Sequence, residues 1–285
     1  LHLPGMRTGL GQTVEDEVMG PARMEFAEGI IRHDRAGNVV DAVLGDPFAI
    51  GIASYAETGN ARVLTLTGAC GFSLSAARGT IKTEDYPLTA PMFLYMPARR
   101  LPKVAREFLA FTRGASAQIV IRRAGFVDQA PEEVSINEQG YRFANAVTSA
   151  GPEITLGELQ RMTRTLYGMA RLTTSFRFEA GSVRLDAQSR SNVQQLARAL
   201  EQGKYDARQI LLVGFSDGDG PSTANRDIAL RRAEAVKRAV MSAAETANFE
   251  RIQLDVDAFG EALPMACDDS AWGRQANRRV EVWVR

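Results

Sequence analysis

The clearest hydrophobic patterning lies in the second half of the chain. TTSFRFEAGSVRL reads as a strand and a turn, and Asp186 to Leu200 as a helix with Val193, Leu196, Ala197 and Leu200 on one face. QILLVGFSD is a strand, and Asn225 to about Met241 a helix on which Ala229, Ala233, Val236 and Val240 trace one apolar stripe. IQLDVDAFG alternates Ile252, Leu254 and Val256, and NRRVEVWVR sets Val280, Val282 and Val284 on one face. The pattern predicts a β-α-β-α-β-β order, a sandwich of helices on a sheet, over 171–285.

The first half mixes shorter runs. Thr13 to Met19 predicts a helix with Thr13 as N-cap and Glu15 and Asp16 in its first turn. AIGIASY and ARVLTLT predict strands, and the proline-bounded PMFLYMP a buried one. LPKVAREFLAFTRG places Val104, Phe108 and Phe111 at helical spacing before the stop at Gly114, and AQIVIRRAGFV reads as a further strand. Alternating strands and helices make residues 1–130 an α/β region. Ala130 to Ala150 is polar and predicts a linker, followed by one helix from Pro152 or Glu153 to about Met169. Three parts follow: 1–130, a linker and connecting helix over 131–170, and a C-terminal domain over 171–285.

Composition narrows the function classes. The 34 basic and 34 acidic residues cancel, which argues against a general nucleic-acid binder. No apolar run of about 18 residues exists, so no transmembrane helix is expected. The opening LHLPGMRTG has no basic start followed by an apolar block. It reads as the tail of a strand entering a turn, so either a signal was removed or, the favoured reading, the chain is a piece of a longer protein. Cys70 and Cys267 lack CxxC spacing, and His2 and His33 are the only histidines, so neither a zinc site nor another metal or cofactor is expected. The cysteines read as two separate buried thiols, with a disulfide as the alternative.

The stretch GFSDGDGPSTANRDIALRRAEAV carries the candidate chemistry. Asp217 lies in a glycine-rich turn after a strand, where α/β layers leave their ligand crevices. Asn225 and Arg232, seven residues apart, project from nearly the same helix face, about 10 Å apart along the axis. A salt bridge, a calcium loop, a phosphate loop and a receptor for a zwitterion all suit an acid and a base so placed. DGDG lacks the further acids and terminal glutamate of a calcium loop, and the turn has no GxxxxGK[ST]. In the zwitterion reading Arg232 takes a carboxylate through a two-point hydrogen bond and Asp217 takes an ammonium.

With FRFEAGSVRLDAQS upstream and FGEALP and GRQANRRVEVWVR downstream, this stretch resembles the OmpA-like peptidoglycan-binding domain. The family pattern GHTD…G…N..LS..RA..V, then GxGE..P and NRRVE, recurs in order and spacing across about Ser175 to Arg285. The resemblance implies that Asp217 and Arg232 hold the diaminopimelate residue of a peptidoglycan stem peptide, with Asn225 at the family's asparagine. Ser216 stands for the usual threonine, Phe215 for the histidine, and Ile228–Ala229 for Leu-Ser. Arg278 and Arg279 line the cleft in one reading and are strand-pairing charges in the other.

AIGIASYAETGNARVL, TEDYPLTAPMFLYMP and FLAFTRGASAQIVIRRAGFV resemble the later part of periplasmic phosphate-binding-protein-like, solute-binding domains over roughly Leu1 to Asp128. A first stretch of about a hundred residues is expected in such domains. The family's anion-gripping turn falls on MRTGLGQT, where Arg7 and Thr13 match while Gly9 and Gly11–Gln12 replace its Asp and Ser-Gly. A helix N-terminus there could hold an anion, but Glu15 and Asp16 follow at once, and phosphate binding is not the favoured reading.

No Ser-His-Asp, paired-carboxylate or Cys-His set stands out, so the chain reads as a non-enzyme. The expectation is a non-catalytic protein of a Gram-negative cell envelope. It works in the periplasm, associated with the cell wall or outer membrane, and anchors to peptidoglycan while carrying a solute-binding-protein-like module. A small anion or a protein is the expected partner of that module. The alternative is a phosphate or other anion receptor of an ABC transport system.

Overall fold

The computed structural model describes residues 1–179 and 181–285. Ala180, in the turn expected after TTSFRFE, lies outside the described residues. The chain forms two compact units. The first comprises Leu1–Leu66, Leu74–Ile81 and Tyr86–Asp128; the second comprises Thr67–Ser73, Lys82–Asp85 and Gln129–Arg285.

In the first unit β1 (His2–Pro4) pairs in parallel with β2 (Ile31–His33). Helix α1 (Gly9–Val14) starts earlier than expected, because Thr8 rather than Thr13 is its N-cap and its hydroxyl accepts from the Gly11 N–H at 3.0 Å. A π-helical turn (Glu15–Met19), α2 (Gly20–Ala22) and α3 (Ala36–Gly45) follow, and α3 buries Val39 and Val40. ARVLTLT is a strand only at β3 (Thr65–Thr67), which forms a two-stranded sheet with β4 (Ser73–Ser75). After α4 (Arg78–Lys82) come α5 (Lys103–Thr112), as read from the sequence, and α6 (Ala115–Arg123).

Three strand expectations here are overturned. AIGIASY keeps only an isolated bridge from Gly51 to His2, and AQIVIRR is the helix α6. PMFLYMP has no regular structure, and Met92, Phe93, Leu94, Tyr95 and Met96 are all exposed. A short apolar run does not by itself distinguish strand from helix. A strand also needs a partner with which to share hydrogen bonds, and among the described residues none pairs with 91–97.

In the second unit the elements are β5 (Glu133–Val134), α7 (Gly140–Thr148), α8 (Leu156–Leu166), β6 (Ala170–Arg177), α9 (Ala187–Glu201), β7 (Gln209–Phe215), α10 (Ser222–Ala243), β8 (Gln253–Gly260), α11 (Ala271–Asn277) and β9 (Arg279–Val284). The sheet order is β5-β6-β9-β7-β8. β9 runs antiparallel to both β6 and β7, and β7 parallel to β8. This is an α+β arrangement whose strands and long helices are those the periodicity predicted, with the short α11 added between the last two strands.

Both sheet faces are covered. Phe176, Ile210, Leu212, Val280 and Val282 pack with Leu196 and Leu200 of α9 and Val236 and Val240 of α10. Leu211, Val213, Phe215 and Trp283 pack with Leu159, Met162 and Leu166 of α8 and Ala146 of α7. Residues 131–170, expected as a linker and one helix, thus supply a strand and two helices to this core. Helix α8 opens on a capping box: Thr155 Oγ1 accepts from the Glu158 N–H, and the Glu158 carboxylate accepts from the Thr155 N–H. The cysteines are not separate thiols, because Cys70 and Cys267 form a disulfide with Cα atoms 5.7 Å apart. Residues 67–73 fold with the second unit and carry Cys70 to its partner.

Because α7 and α8 cover the second face, the charged positions of β9 are buried. Glu281 and Arg279 are fully inaccessible. The Glu281 carboxylate accepts from Arg142 of α7 at 2.5 Å, Arg279 at 2.8 Å and the Trp283 indole at 3.1 Å, and lies 3.4 Å from Arg171. Arg171 in turn donates to both oxygens of Asp85. Burial alone would raise the Glu281 pKa, but Arg142, Arg171 and Arg279 hold it well below the usual carboxylate range.

Candidate functional site

The site forms where β7, α10, β8 and β9 converge. Ser216 and Asp217 directly follow β7, and the chain then turns through Gly218–Gly220 into α10. Alternation along β7 buries Phe215, whose ring carries the Arg279 guanidinium 4.4 Å from its centroid. The Ser216 N–H donates to Gly260 O at 2.9 Å, tying the end of β7 to the end of β8. The Ser216 hydroxyl is buried and has no hydrogen-bond partner among the described residues.

Asp217 is nearly buried, and its Oδ2 accepts from Arg278 at 2.5 Å. Arg278 is the C-cap of α11, at the entrance to β9. The two arginines of NRRVE therefore divide: Arg278 pairs with Asp217, while Arg279 is a core charge paired with Glu281. Among the described residues no ion pair joins Asp217 to Arg232.

Asn225 and Arg232 lie on the buried face of α10, as their spacing implied. Arg232 Nε donates to Ser182 O at 3.4 Å, and its guanidinium lies 5.3 Å from the Phe178 ring centroid. Burial lowers the Arg232 pKa, with Arg278 adding to the effect and Asp217 opposing it. Two guanidiniums thus flank one carboxylate, leaving positive charge for a ligand carboxylate to neutralise.

The opposite side is acidic. Asn225 Nδ2 donates to Gly220 O at 3.1 Å and to Glu261 Oε2 at 2.6 Å. Burial raises the Glu261 pKa, with the Asn225 bond opposing it and Glu153, Asp268 and Glu158 raising it further. The Ser222 N–H at the start of α10 donates to Glu153, and the Gly218 N–H donates to Asp268 Oδ2 at 2.8 Å. Glu261 and Asp268 were not among the residues chosen from sequence. FGEALP contains Glu261 and could have flagged it, whereas nothing local to Asp268 could.

Arg7 and Thr13 do not form a comparable site. Arg7 is exposed, and Thr13 Oγ1 turns back to donate to Gly9 O inside the helix at 2.9 Å. No group of three or more His, Cys, Asp or Glu side chains that could hold a metal ion is present among the described residues. Nor is any helix there long and apolar enough to cross a membrane.

Residues 177–278 match the model of the OmpA family, so the C-terminal domain is OmpA-like. No curated protein matches the chain. Among solved structures, the chain is similar to the peptidoglycan-associated lipoprotein of Burkholderia pseudomallei, with 26% identity, 39% of this chain and 90% of that one covered, and a TM-score of 0.35. It is similar to the C-terminal domain of MotB from Helicobacter pylori, with 23% identity, 39% and 83% covered, and a TM-score of 0.34. It is also similar to the cell wall anchor of the T6SS from Pseudomonas aeruginosa, with 24% identity, 41% and 80% covered, and a TM-score of 0.31.

Proposed function

We propose that the chain anchors to peptidoglycan in the periplasm through its OmpA-like domain, which takes the zwitterionic end of a diaminopimelate residue. The observation that carries this reading is the Asp217–Arg278 ion pair at the end of β7, with Arg232 on the buried face of α10 feeling both charges and Asn225 of the same face bonded to Glu261. A free amino-acid end presents a carboxylate and an ammonium one carbon apart. Arg232 and Arg278 suit the carboxylate, and Asp217 suits the ammonium. The unpartnered Ser216 hydroxyl adds a group able to donate or accept within the same cleft.

The test is co-sedimentation with purified sacculi of the wild-type chain, Asp217→Asn and Arg232→Ala. Each charge-assisted bond is worth roughly 1.5–3 kcal/mol, so either variant should bind at least about ten-fold more weakly. Arg232→Lys should restore binding only partly, since an ammonium lacks the planar fork. Equal sedimentation of all the folded proteins would refute the site.

A further inference from the structure

Behind the acidic wall of the cleft, Asp268 bridges two elements. Its Oδ2 accepts from the Gly218 N–H at 2.8 Å, and its Oδ1 from Asn277 Nδ2 at 2.8 Å. Gly218 adjoins Asp217, and Asn277 adjoins Arg278, the two members of the ion pair at the site. Asp268 therefore sets the spacing between the halves of that pair. It is itself the residue after Cys267, whose sulfur is bonded to Cys70.

There is little slack around Cys267. The Cys70 N–H donates to Cys267 Sγ at 3.2 Å, and a Cβ built on Gly68 would lie 2.8 Å from that sulfur. On the far side, a Cβ on Gly273 would lie 1.8 Å from Cys267 O. Met265 and Ala266 are pinned through their N–H groups to Asn277 Oδ1, at 2.6 and 3.1 Å. A covalent bond holds two sulfurs nearer than nonbonded contact allows, so two thiols in this place must part. With glycine contacts on both sides, the parting displaces backbone next to Asp268.

We propose that Asp268 is a positioning residue of the wall-binding site, and that the Cys70–Cys267 disulfide sets its aim, so that affinity for diaminopimelate is linked to the redox state of this bond. This rests on the proposed function. The reductant is a dithiol. One of its thiolates attacks a protein sulfur and breaks the S–S bond, and its second thiol resolves the mixed disulfide. Two electrons and two protons pass to Cys70 and Cys267, which become thiols, and the dithiol leaves as a cyclic disulfide. Reduction frees Cys267, Asp268 shifts from Gly218, and the Asp217 turn loses the acceptor that orients it.

The experiment uses the full 285-residue chain, oxidised and then reduced with dithiothreitol, titrated with meso-diaminopimelate and co-sedimented with sacculi. Far-UV circular dichroism is recorded in parallel, together with the Gly218 amide resonance in 15N-labelled protein. Reduction should weaken binding about ten-fold with the dichroism unchanged. It should also move the Gly218 amide proton upfield, because a carboxylate acceptor is lost, and reoxidation should restore both. Asp268→Asn, which places a donor against one of its two present donors, should reproduce the weaker binding and the shift without reductant. Equal affinity in both redox states, or an unmoved Gly218 resonance, overturns the inference while leaving the proposed function standing. Loss of dichroism together with affinity also overturns it, because the bond would then merely hold the fold. Failure of the oxidised chain to bind overturns the proposed function and this inference with it.

Discussion

Replacing Glu281 by Gln should be among the most destabilising single changes in the C-terminal domain. The carboxylate is fully inaccessible and is the shared acceptor of Arg142, Arg279 and the Trp283 indole, with Arg171 3.4 Å away. Glutamine keeps the size and one acceptor oxygen. It also removes a negative charge from among three buried guanidiniums, which then face only Asp85, and turns an N–H pair toward donors. Breaking a buried pair by removing one partner costs about 3–5 kcal/mol, since the remaining charge stays desolvated. At roughly 2–4 °C per kcal/mol the melting temperature should fall on the order of 10 °C. Urea unfolding followed by tryptophan fluorescence reads this, and the midpoint should drop without a change in slope. The acid limb gives a second reading. Three arginines hold the folded Glu281 pKa below its unfolded value of 4.5, so its stabilisation is complete above that pH and is lost as pH falls through the folded pKa. The Gln variant should lack that component of acid unfolding. A variant within about 1 kcal/mol of wild type would refute the network as a determinant of stability.

Glu84 has the opposite sign: burial raises its pKa from 4.5 to about 7, against the pull of Arg177. Stability from this group is therefore greatest below pH 4.5 and declines toward pH 7, by roughly 3 kcal/mol at most. Glu84→Gln should flatten that slope between urea midpoints measured at pH 5 and pH 8, and a wild-type chain with equal midpoints would contradict it. Thr155→Ala removes the side-chain half of the capping box of α8, the acceptor of the Glu158 N–H, and should cost about 1 kcal/mol in the same assay. Calorimetric titration of the chain with phosphate should give no saturable heat. Stoichiometric binding abolished by Arg7→Ala would reverse the account of that turn.

The C-terminal elements were legible because their apolar periods are long and bounded. Ala233, Val236 and Val240 of the α10 stripe and the alternation Val280, Val282 and Val284 lie in the same core cluster. The other face of β9 was not legible. Arg279 reads as a cleft-lining or strand-pairing charge so long as 131–150 is taken for a linker, and it and Glu281 are core residues once Gly140–Thr148 is a helix that sends Arg142 to Glu281. The same missing layer hid the separate fates of Arg278 and Arg279. At the site, Asp217, Asn225 and Arg232 could be chosen because one strand end and one helix hold them all. The contacts of Asp268 and Cys70 depend on segments fifty and 197 residues away in sequence, which no local period encodes. In the first unit PMFLYMP shows the limit of composition, since apolar residues do not bury themselves without a neighbouring strand or helix.

The strand order β5-β6-β9-β7-β8 has a consequence for the order in which the sheet can be assembled during synthesis. The central strand is the last of the five to leave the ribosome. β6 and β7 each expose an unpaired edge until the segment that separates them has been made. At about 5–20 residues per second, the hundred or so residues from β6 to β9 leave the β6 edge open for roughly 5–20 s, and the β7 edge for a shorter time. In that interval β6 and β7 can meet each other or an edge on another chain, and Arg171 carries its charge with no Glu281 to meet it. Arg278, Arg279 and Glu281 arrive together, so one late segment closes the sheet, neutralises its interior and completes the cleft. A nascent chain stalled before Arg278 has neither a finished sheet nor the Asp217–Arg278 pair of the proposed site.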